Sequence, residues 1–262
     1  MIRVEPDWWK TLFDEVYLVT DAPFVCNAAL TKHEVDVVEH VLGLQPAARI
    51  LDVCGGQGRH ALELARRGYP HLTVLDYSDF LLDRGRSAAA AAGVNVTFCQ
   101  GDARAMPLPT AGFDVALLMA NSFGFFVDAV DDRQVLAEVA RTLTADGCFL
   151  LDLIDRDLAL RHFCAESWHE ATDNIVVCWK RELIQDVIHV RELVLSKATG
   201  VLRDRAYAER LYSPETIRQL LTEVGFHDIV IQHGAFVYDP DHGTDYGLAT
   251  NRMLVTAAKG AL

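Results

Sequence analysis

The stretch from Arg49 to His60, Arg-Ile-Leu-Asp-Val-Cys-Gly-Gly-Gln-Gly-Arg-His, leaves this chain few folds to choose from. A short apolar run, Ile50 to Val53, is interrupted by one carboxylate, Asp52. Three glycines follow within four residues (Gly55, Gly56, Gly58). Ala61, Leu62, Leu64 and Ala65 then recur at helical spacing up to a stop at Gly68. The order is strand, glycine turn, helix. Glycines let the backbone take positive φ and bring main-chain N–H groups close to a ligand. The helix start adds free amides and a positive dipole end. The turn therefore predicts a docking place for a nucleotide-like ligand.

Which ligand depends on the acids. Gly56-x-Gly58-x-x-Ala61 also fits a dinucleotide fingerprint, and an NAD-linked oxidoreductase is one alternative. Asp52, however, stands just before the turn, where a pyrophosphate would meet its negative charge. A carboxylate there suits a ligand with an ammonium group and no phosphate. A second run, His71 to Tyr77, places Asp76 to accept from ribose hydroxyls. A third, Val94 to Ala103, ends on Asp102. Three strand-end carboxylates and no phosphate-seeking lysine point to an adenosyl amino acid.

Four segments in register, Ile-Leu-Asp-Val-Cys-Gly-Gly-Gln-Gly-Arg-His, Leu-Asp-Tyr-Ser, Gly-Asp-Ala-Arg and Gly112-Phe113-Asp114-Val115, resemble the ordered motifs of class I S-adenosylmethionine-dependent methyltransferases. Cys54 stands where the family's first motif glycine often is. The resemblance implies an α/β fold: a doubly wound, mostly parallel seven-stranded sheet (the Rossmann-like methyltransferase fold) with an inserted antiparallel β cap. It implies S-adenosyl-L-methionine as donor and S-adenosyl-L-homocysteine as product. Asp52, Cys54, Gly55, Gly56 and Gly58 would line the methionine end, Asp76 and Tyr77 the ribose, and Asp102 and Ala103 the adenine, Asp102 accepting from its amino group. Met119 and Asn121 would close the cofactor site from the fourth strand. The segment Ala120 to Phe126 resembles the Ser/Asn-x-Gly-aromatic stretch of bacterial small-molecule methyltransferases, sugar N-methyltransferases among them, and its polar groups are expected to face the transferring methyl. It lacks the Asn/Asp-Pro-Pro-aromatic pattern of base-amine methyltransferases. No Asp…Asp-Asn set for Mg²⁺ is present, so no metal is expected.

The expected organisation is an N-terminal helical lid (1–30), a donor-binding core (31–164 and 213–262) and a β-rich cap over the acceptor site (165–212). Asp7 to Val19 reads as one amphipathic helix broken by Pro23, with Tyr17 towards the cofactor. Thr31-Lys32-His33-Glu34 reads as a capping box. Ser78 caps a helix over 79–92, another covers 131–143, and Thr144 to Gly147 reads as a turn into the next strand. Ile175 to Glu182, Val187 to Leu195 and Leu202 to Leu211 suggest a three-stranded antiparallel insertion.

Acids outnumber bases, 37 Asp+Glu against 24 Lys+Arg, and the net charge of −13 argues against nucleic acid as substrate, since phosphate neutralisation carries most such affinity. Six cysteines without a CxxC pair suggest free thiols in a reducing compartment. Without an apolar leader or a run of membrane-spanning length, a cytoplasmic protein is expected, monomer or homodimer, acting on a small-molecule acceptor with no nucleic-acid or membrane partner. Tyr17, Asn121, His233 and Tyr246 are the catalytic candidates, with His162 and His169 as further possible bases. A methyltransferase-like interaction module without catalysis is the second alternative.

Overall fold

The computed structural model describes residues 1–234 and 252–260. Three single turns of helix, α1 (Trp9–Leu12), α2 (Tyr17–Thr20) and α3 (Ala22–Val25), lead into α4 (Ala28–Leu42). Strand and helix then alternate through β1 (Arg49–Val53), α5 (Arg59–Arg66), β2 (His71–Asp76), α6 (Asp79–Ala92), β3 (Thr97–Gln100), β4 (Phe113–Leu118), α7 (Ala129–Thr142) and β5 (Leu143–Ile154). After α8 (Arg156–Arg161) come β6 (Glu166–Glu170), β7 (Ile175–Ile184), β8 (Val187–Ser196) and β9 (Gly200–Arg210). The chain returns through α9 (Pro214–Glu223), β10 (Phe226–His233) and β11 (Arg252–Lys259).

Seven strands form one sheet in the order β10-β11-β5-β4-β1-β2-β3. β3, β2, β1, β4 and β5 run parallel, and β11 is inserted antiparallel between β5 and the edge strand β10, which runs with the parallel set. This is the doubly wound α/β fold that the motifs imply. Leu51, Val53, Ala116, Leu118 and Leu151 pack on one face against α7 and α9, and Ile50, Val74, Leu117 and Leu150 on the other against α4, α5 and α6. A sheet covered on both faces requires such continuous apolar runs. Strand order reverses between β1 and β4, and ligands of open α/β sheets bind beyond the carboxyl ends of strands at such a switch.

Four expectations need correction. Residues 7–19 are not one helix: the Asp14 carboxylate accepts from Val16 N at 2.8 Å and starts a new turn, while the Ser78 hydroxyl takes the Phe13 carbonyl at 2.7 Å. Pro23 then sits in the first turn of α3, where its missing N–H costs nothing. α4 begins before Thr31, because the Asn27 side chain accepts from Leu30 N at 3.0 Å. Glu34, read as a capping residue, is instead fully buried. Thr144 to Gly147 make no separate turn and belong to β5, with a register irregularity opposite Phe113 and Val115. The antiparallel insertion has four strands rather than three, β6 being the extra edge.

The second sheet is tied to the core around Gly124 and Asp132. Arg210 N donates to Gly124 O at 2.7 Å, the Arg210 guanidinium reaches Asp132 at 3.1 Å, and the Tyr212 hydroxyl donates to Asp132 at 2.6 Å. Gly124, at φ 90°, is required there: a Cβ would lie 2.5 Å from the Arg210 carbonyl oxygen.

Candidate functional site

Two hollows meet at the carboxyl ends of β1, β2 and β4, sharing Tyr17, Cys54, Gly56, Leu81 and Ser122 as walls. Their cavity volumes are about 100 Å³ and about 50 Å³. The larger is mostly aromatic, with Trp9, Phe13, Phe123, Phe125 and Phe126 facing Asp76, Tyr77, Asp102 and Ala103. The smaller is polar and contains Asp52, Gly55, Arg59, His60 and Met119.

Asp52 is the electrostatic centre of the smaller hollow. It is 1 % exposed, and neither carboxylate oxygen meets a hydrogen-bond partner. Burial pushes its carboxyl up to about 7; Arg59 pulls it back in part and Asp76 pushes it further. The carboxylate curls under Gly55, where a Cβ would come within 2.6 Å of Asp52 Cγ, so the glycine turn keeps the space over this acid open. Cys54 takes φ 53°, a conformation glycine adopts without strain and other residues hold at a cost of about 1–2 kcal/mol. Burial raises the Cys54 thiol far above its ordinary range, so it is an inert wall.

Asp76 accepts from Gly56 N and Ser78 N, both at 2.8 Å, one on each oxygen. Tyr77 N also favours the charged carboxylate, and with four lone pairs in all Asp76 keeps acceptor capacity. Asp102 is differently placed. Its oxygens take Arg104 Nε at 3.1 and 3.2 Å and Nη2 at 2.7 Å, with Arg104 N at 2.9 Å. Burial alone would raise this acid, but Arg104 outweighs it and holds the carboxyl below its usual range. The expected adenine acceptor is therefore already engaged. Arg104 also reaches Asp131 at 2.9 Å and stacks between Phe126 (4.5 Å) and Trp9 (5.3 Å), joining α1, the β3–β4 connection and the loop after β4.

That loop starts with two consecutive left-handed residues, Ala120 at φ 58° and Asn121 at φ 57°. Such strain persists only where surroundings fix it. Here Ala120 N donates to Asp152 Oδ2 at 2.9 Å and Asn121 N to Asp152 O at 3.0 Å. The turn presents Met119, Ala120 and Ser122 to the cleft and sends the Asn121 side chain elsewhere. Its amide donates to Glu209 on β9 and its oxygen accepts from Ile154 N at 2.8 Å. The expectation that Asn121 faces the methyl is thus corrected: it splices two sheets together.

Among the other expected residues, Tyr17 lines both hollows, and burial drives its phenol far above the ordinary range. Gly58 lines neither; it caps α5 and packs over Phe98. His233 also lines neither and lies 2.7 Å from Asp155 Oδ2. His169 stacks on Trp179 within the second sheet, and His162 caps the end of α8. Tyr246 lies outside the described residues. Arg59 and His60, ambiguous in sequence, both face the smaller hollow while sharing the buried Glu34 carboxylate, His60 at 3.0 Å. No group of three or more potential metal ligands occurs among the described residues, and none of their helices is long and apolar enough to cross a membrane.

Known proteins share this fold. A family model described as a methyltransferase domain matches residues 50–147, the segment carrying β1 to β4 and the glycine turn. The uncharacterized methyltransferase YcgJ of Bacillus subtilis is 30% identical over 189 residues, covering 69% of this chain and 68% of that protein. Two solved structures show the same fold. An S-adenosylmethionine-dependent methyltransferase from Clostridium acetobutylicum matches with a TM-score of 0.72 at 16% identity, over 88% of this chain and 92% of its own. CalS10, an amino pentose methyltransferase from Micromonospora echinaspora solved with its donor bound, matches with a TM-score of 0.68 at 20% identity, over 95% and 98%. A doubly wound sheet whose strand-end acids converge on one cleft, and a relative alike over two thirds of its length, lead to one conclusion: the chain belongs to the class I S-adenosylmethionine-dependent methyltransferases.

Proposed function

We propose that this enzyme transfers a methyl group from S-adenosylmethionine to a nitrogen or oxygen atom of a small metabolite. The observation that carries the reading is Asp52, a buried carboxylate that no side chain pairs by hydrogen bond, facing a hollow that Arg59 also lines. An isolated buried anion is costly, and a zwitterionic amino-acid end complements both groups: its ammonium meets Asp52 and its carboxylate meets Arg59. Cys54, Gly55, Gly56 and Met119 shape that compartment. Asp76, with acceptor capacity to spare, accepts from the ribose hydroxyls beside Tyr77. Ala103 and the Arg104-bound Asp102 wall the adenine side. Membership of the family sets the dinucleotide alternative aside.

The donor supplies a methyl already activated on a sulfonium. The chain's own contribution is to fix the acceptor in line and keep water out. Positioning alone is worth up to about 7–11 kcal/mol. The aromatic wall from Trp9 to Phe126 and the N-terminal segment carrying Tyr17 serve exclusion. The enclosed cleft and the charge of −13 favour a small acceptor over a nucleic acid.

Two measurements test the proposal. Calorimetric titration should show S-adenosylhomocysteine binding and no NADH binding, and Asp76→Ala should weaken the former by about 1–3 kcal/mol. Unchanged affinity in a folded Asp76→Ala protein removes Asp76 from the site. Methyl-labelled donor incubated with the small-molecule fraction of source-cell extract should yield labelled product; its absence would favour the non-catalytic alternative.

A further inference from the structure

Two neighbouring residues of the smaller hollow, Arg59 and His60, share one buried acid. Thr31, Glu34, Val35 and Val38 make up the buried face of α4, at the three- and four-residue spacing that gathers side chains on one side of a helix. Glu34 on that face is fully buried and lines neither hollow. A carboxylate in such a place is costly unless cations or donors surround it. Here α5 supplies both with its first two residues: Arg59 Nη1 and His60 Nε2 meet the same oxygen, Glu34 Oε2. Burial alone would raise the Glu34 carboxyl, but the hydrogen bond from His60 and the Arg59 guanidinium outweigh it and hold it well below its usual range.

That acid decides what each neighbour has left to offer. Arg59 is held by Nη1 alone, which also donates to the Thr31 hydroxyl at 3.1 Å. Its Nε and Nη2 make no hydrogen bond among the described residues, and neither is sealed from solvent. Those two nitrogens form the edge of a guanidinium that grips a carboxylate with two parallel hydrogen bonds.

His60 is constrained more tightly. Its Nε2 lies 3.0 Å from Glu34 Oε2, and an ionised carboxylate only accepts, so Nε2 carries the hydrogen. Burial, Arg59 and Arg252 lower the imidazole more than Glu34 raises it, which leaves the ring neutral and Nδ1 a bare lone pair. Nδ1 has no hydrogen-bond partner among the described residues, yet it is not one of their sealed orphan atoms, although the side chain is only 4 % exposed. The remaining access is to the hollow that His60 borders with Asp52.

Resting on the reading above, in which the donor's amino-acid end enters this hollow, we propose that Glu34 is a positioning residue for the donor. Holding Arg59 by Nη1, it leaves Nε and Nη2 for the donor's carboxylate. Holding His60 by Nε2–H, it fixes the one tautomer that accepts from the ammonium, which has N–H groups to share between Asp52 and Nδ1. With the hydrogen on Nδ1 instead, the ring would set a donor against a donor. Glu34 thereby acts on a ligand that it does not touch.

The test is calorimetric titration of the intact protein with S-adenosylhomocysteine and three relatives. One lacks the carboxylate (an aminopropyl thioether), one lacks the ammonium (a thiobutanoate), and 5′-methylthioadenosine lacks both. Glu34→Gln should weaken S-adenosylhomocysteine about 30-fold or more and each one-group analogue about 10-fold, leaving methylthioadenosine within about twofold. The amide of His60→Gln still donates to Glu34 but puts no acceptor at the Nδ1 position. That variant should weaken S-adenosylhomocysteine and the aminopropyl analogue about 10-fold and leave the other two ligands within about twofold. Glu34→Gln affinities that fall equally for all four ligands, or not at all, make Glu34 a packing residue and overturn the proposal. So does a His60→Gln loss that is the same with and without the ammonium, and this arm decides alone if Glu34→Gln does not fold. Wild-type protein that binds S-adenosylhomocysteine no tighter than methylthioadenosine overturns the reading of the hollow itself, and this proposal with it.

Discussion

The two sheets of this molecule handle charge in opposite ways. In the seven-stranded sheet the interior is apolar on both faces, and the acids Asp52 and Asp76 appear where strands give out, in a line along one edge. In the four-stranded sheet, Arg181, Glu192, Arg203 and Glu209 lie buried across the face itself. A parallel sheet sandwiched between helices has no room for charge except at its ends. An antiparallel sheet packed against irregular chain can carry it anywhere that a cross-strand or cross-domain partner exists. One layer thus presents its charges along an edge, the other across a surface.

The largest expected effect comes from parting the two. Gly124→Ala places a Cβ on the Arg210 carbonyl at a left-handed position and should cost about 3–5 kcal/mol in urea unfolding. An unchanged midpoint would mean that the sheets are not held together there.

The next compares their buried acids through pH. Asp52 and Asp21 (each raised by burial to about 7) and Glu209 (likewise to about 6) hold protons more tightly folded than unfolded. Their stabilising contribution is full below the ordinary carboxylate range, near pH 4, and fades as pH rises through 6–7. The donor-free protein should lose stability on their account over that window. Asp52→Asn should recover about 2–4 kcal/mol at pH 8 and almost nothing at pH 4, while weakening S-adenosylhomocysteine binding. Denaturation curves at the two pH values check the first part and calorimetry the second; an equal gain at both pH values would show that Asp52 is not the strained group.

The smallest effect concerns the edge alone. Arg104→Gln removes the cation between Trp9 and Phe126 and frees Asp102, and should lower S-adenosylhomocysteine affinity by about 1 kcal/mol. Tighter binding would instead mean that Asp102, once released, turns to the ligand.

The same contrast explains what the sequence made legible. The apolar runs, the glycines and the acids closing β1, β2 and β3 are contiguous in the chain, so periodicity and spacing reveal them together. Asn121 could be located but not aimed, because its partners Glu209 and Ile154 lie 88 and 33 residues away. Arg104 sits two residues from Asp102, yet nothing in their spacing tells a salt-bridged acid from an open one. β6 was missed because Glu-Ser-Trp-His-Glu offers one large apolar side chain, Trp168, and that one points outward at 68 % exposure. The N-terminal segment has a helix-like aromatic stripe, but Asp14 competes for the backbone and breaks it.

Asp52 also bears on turnover. In its proposed role it grips the amino-acid tail, which is identical before and after the methyl leaves, so the grip favours fresh and spent nucleoside alike. Such uniform binding raises occupancy without distinguishing the two. Relief from product inhibition must then originate near the sulfur or with whatever removes spent nucleoside from solution, and strengthening the tail's anchor would slow the enzyme wherever that removal lags.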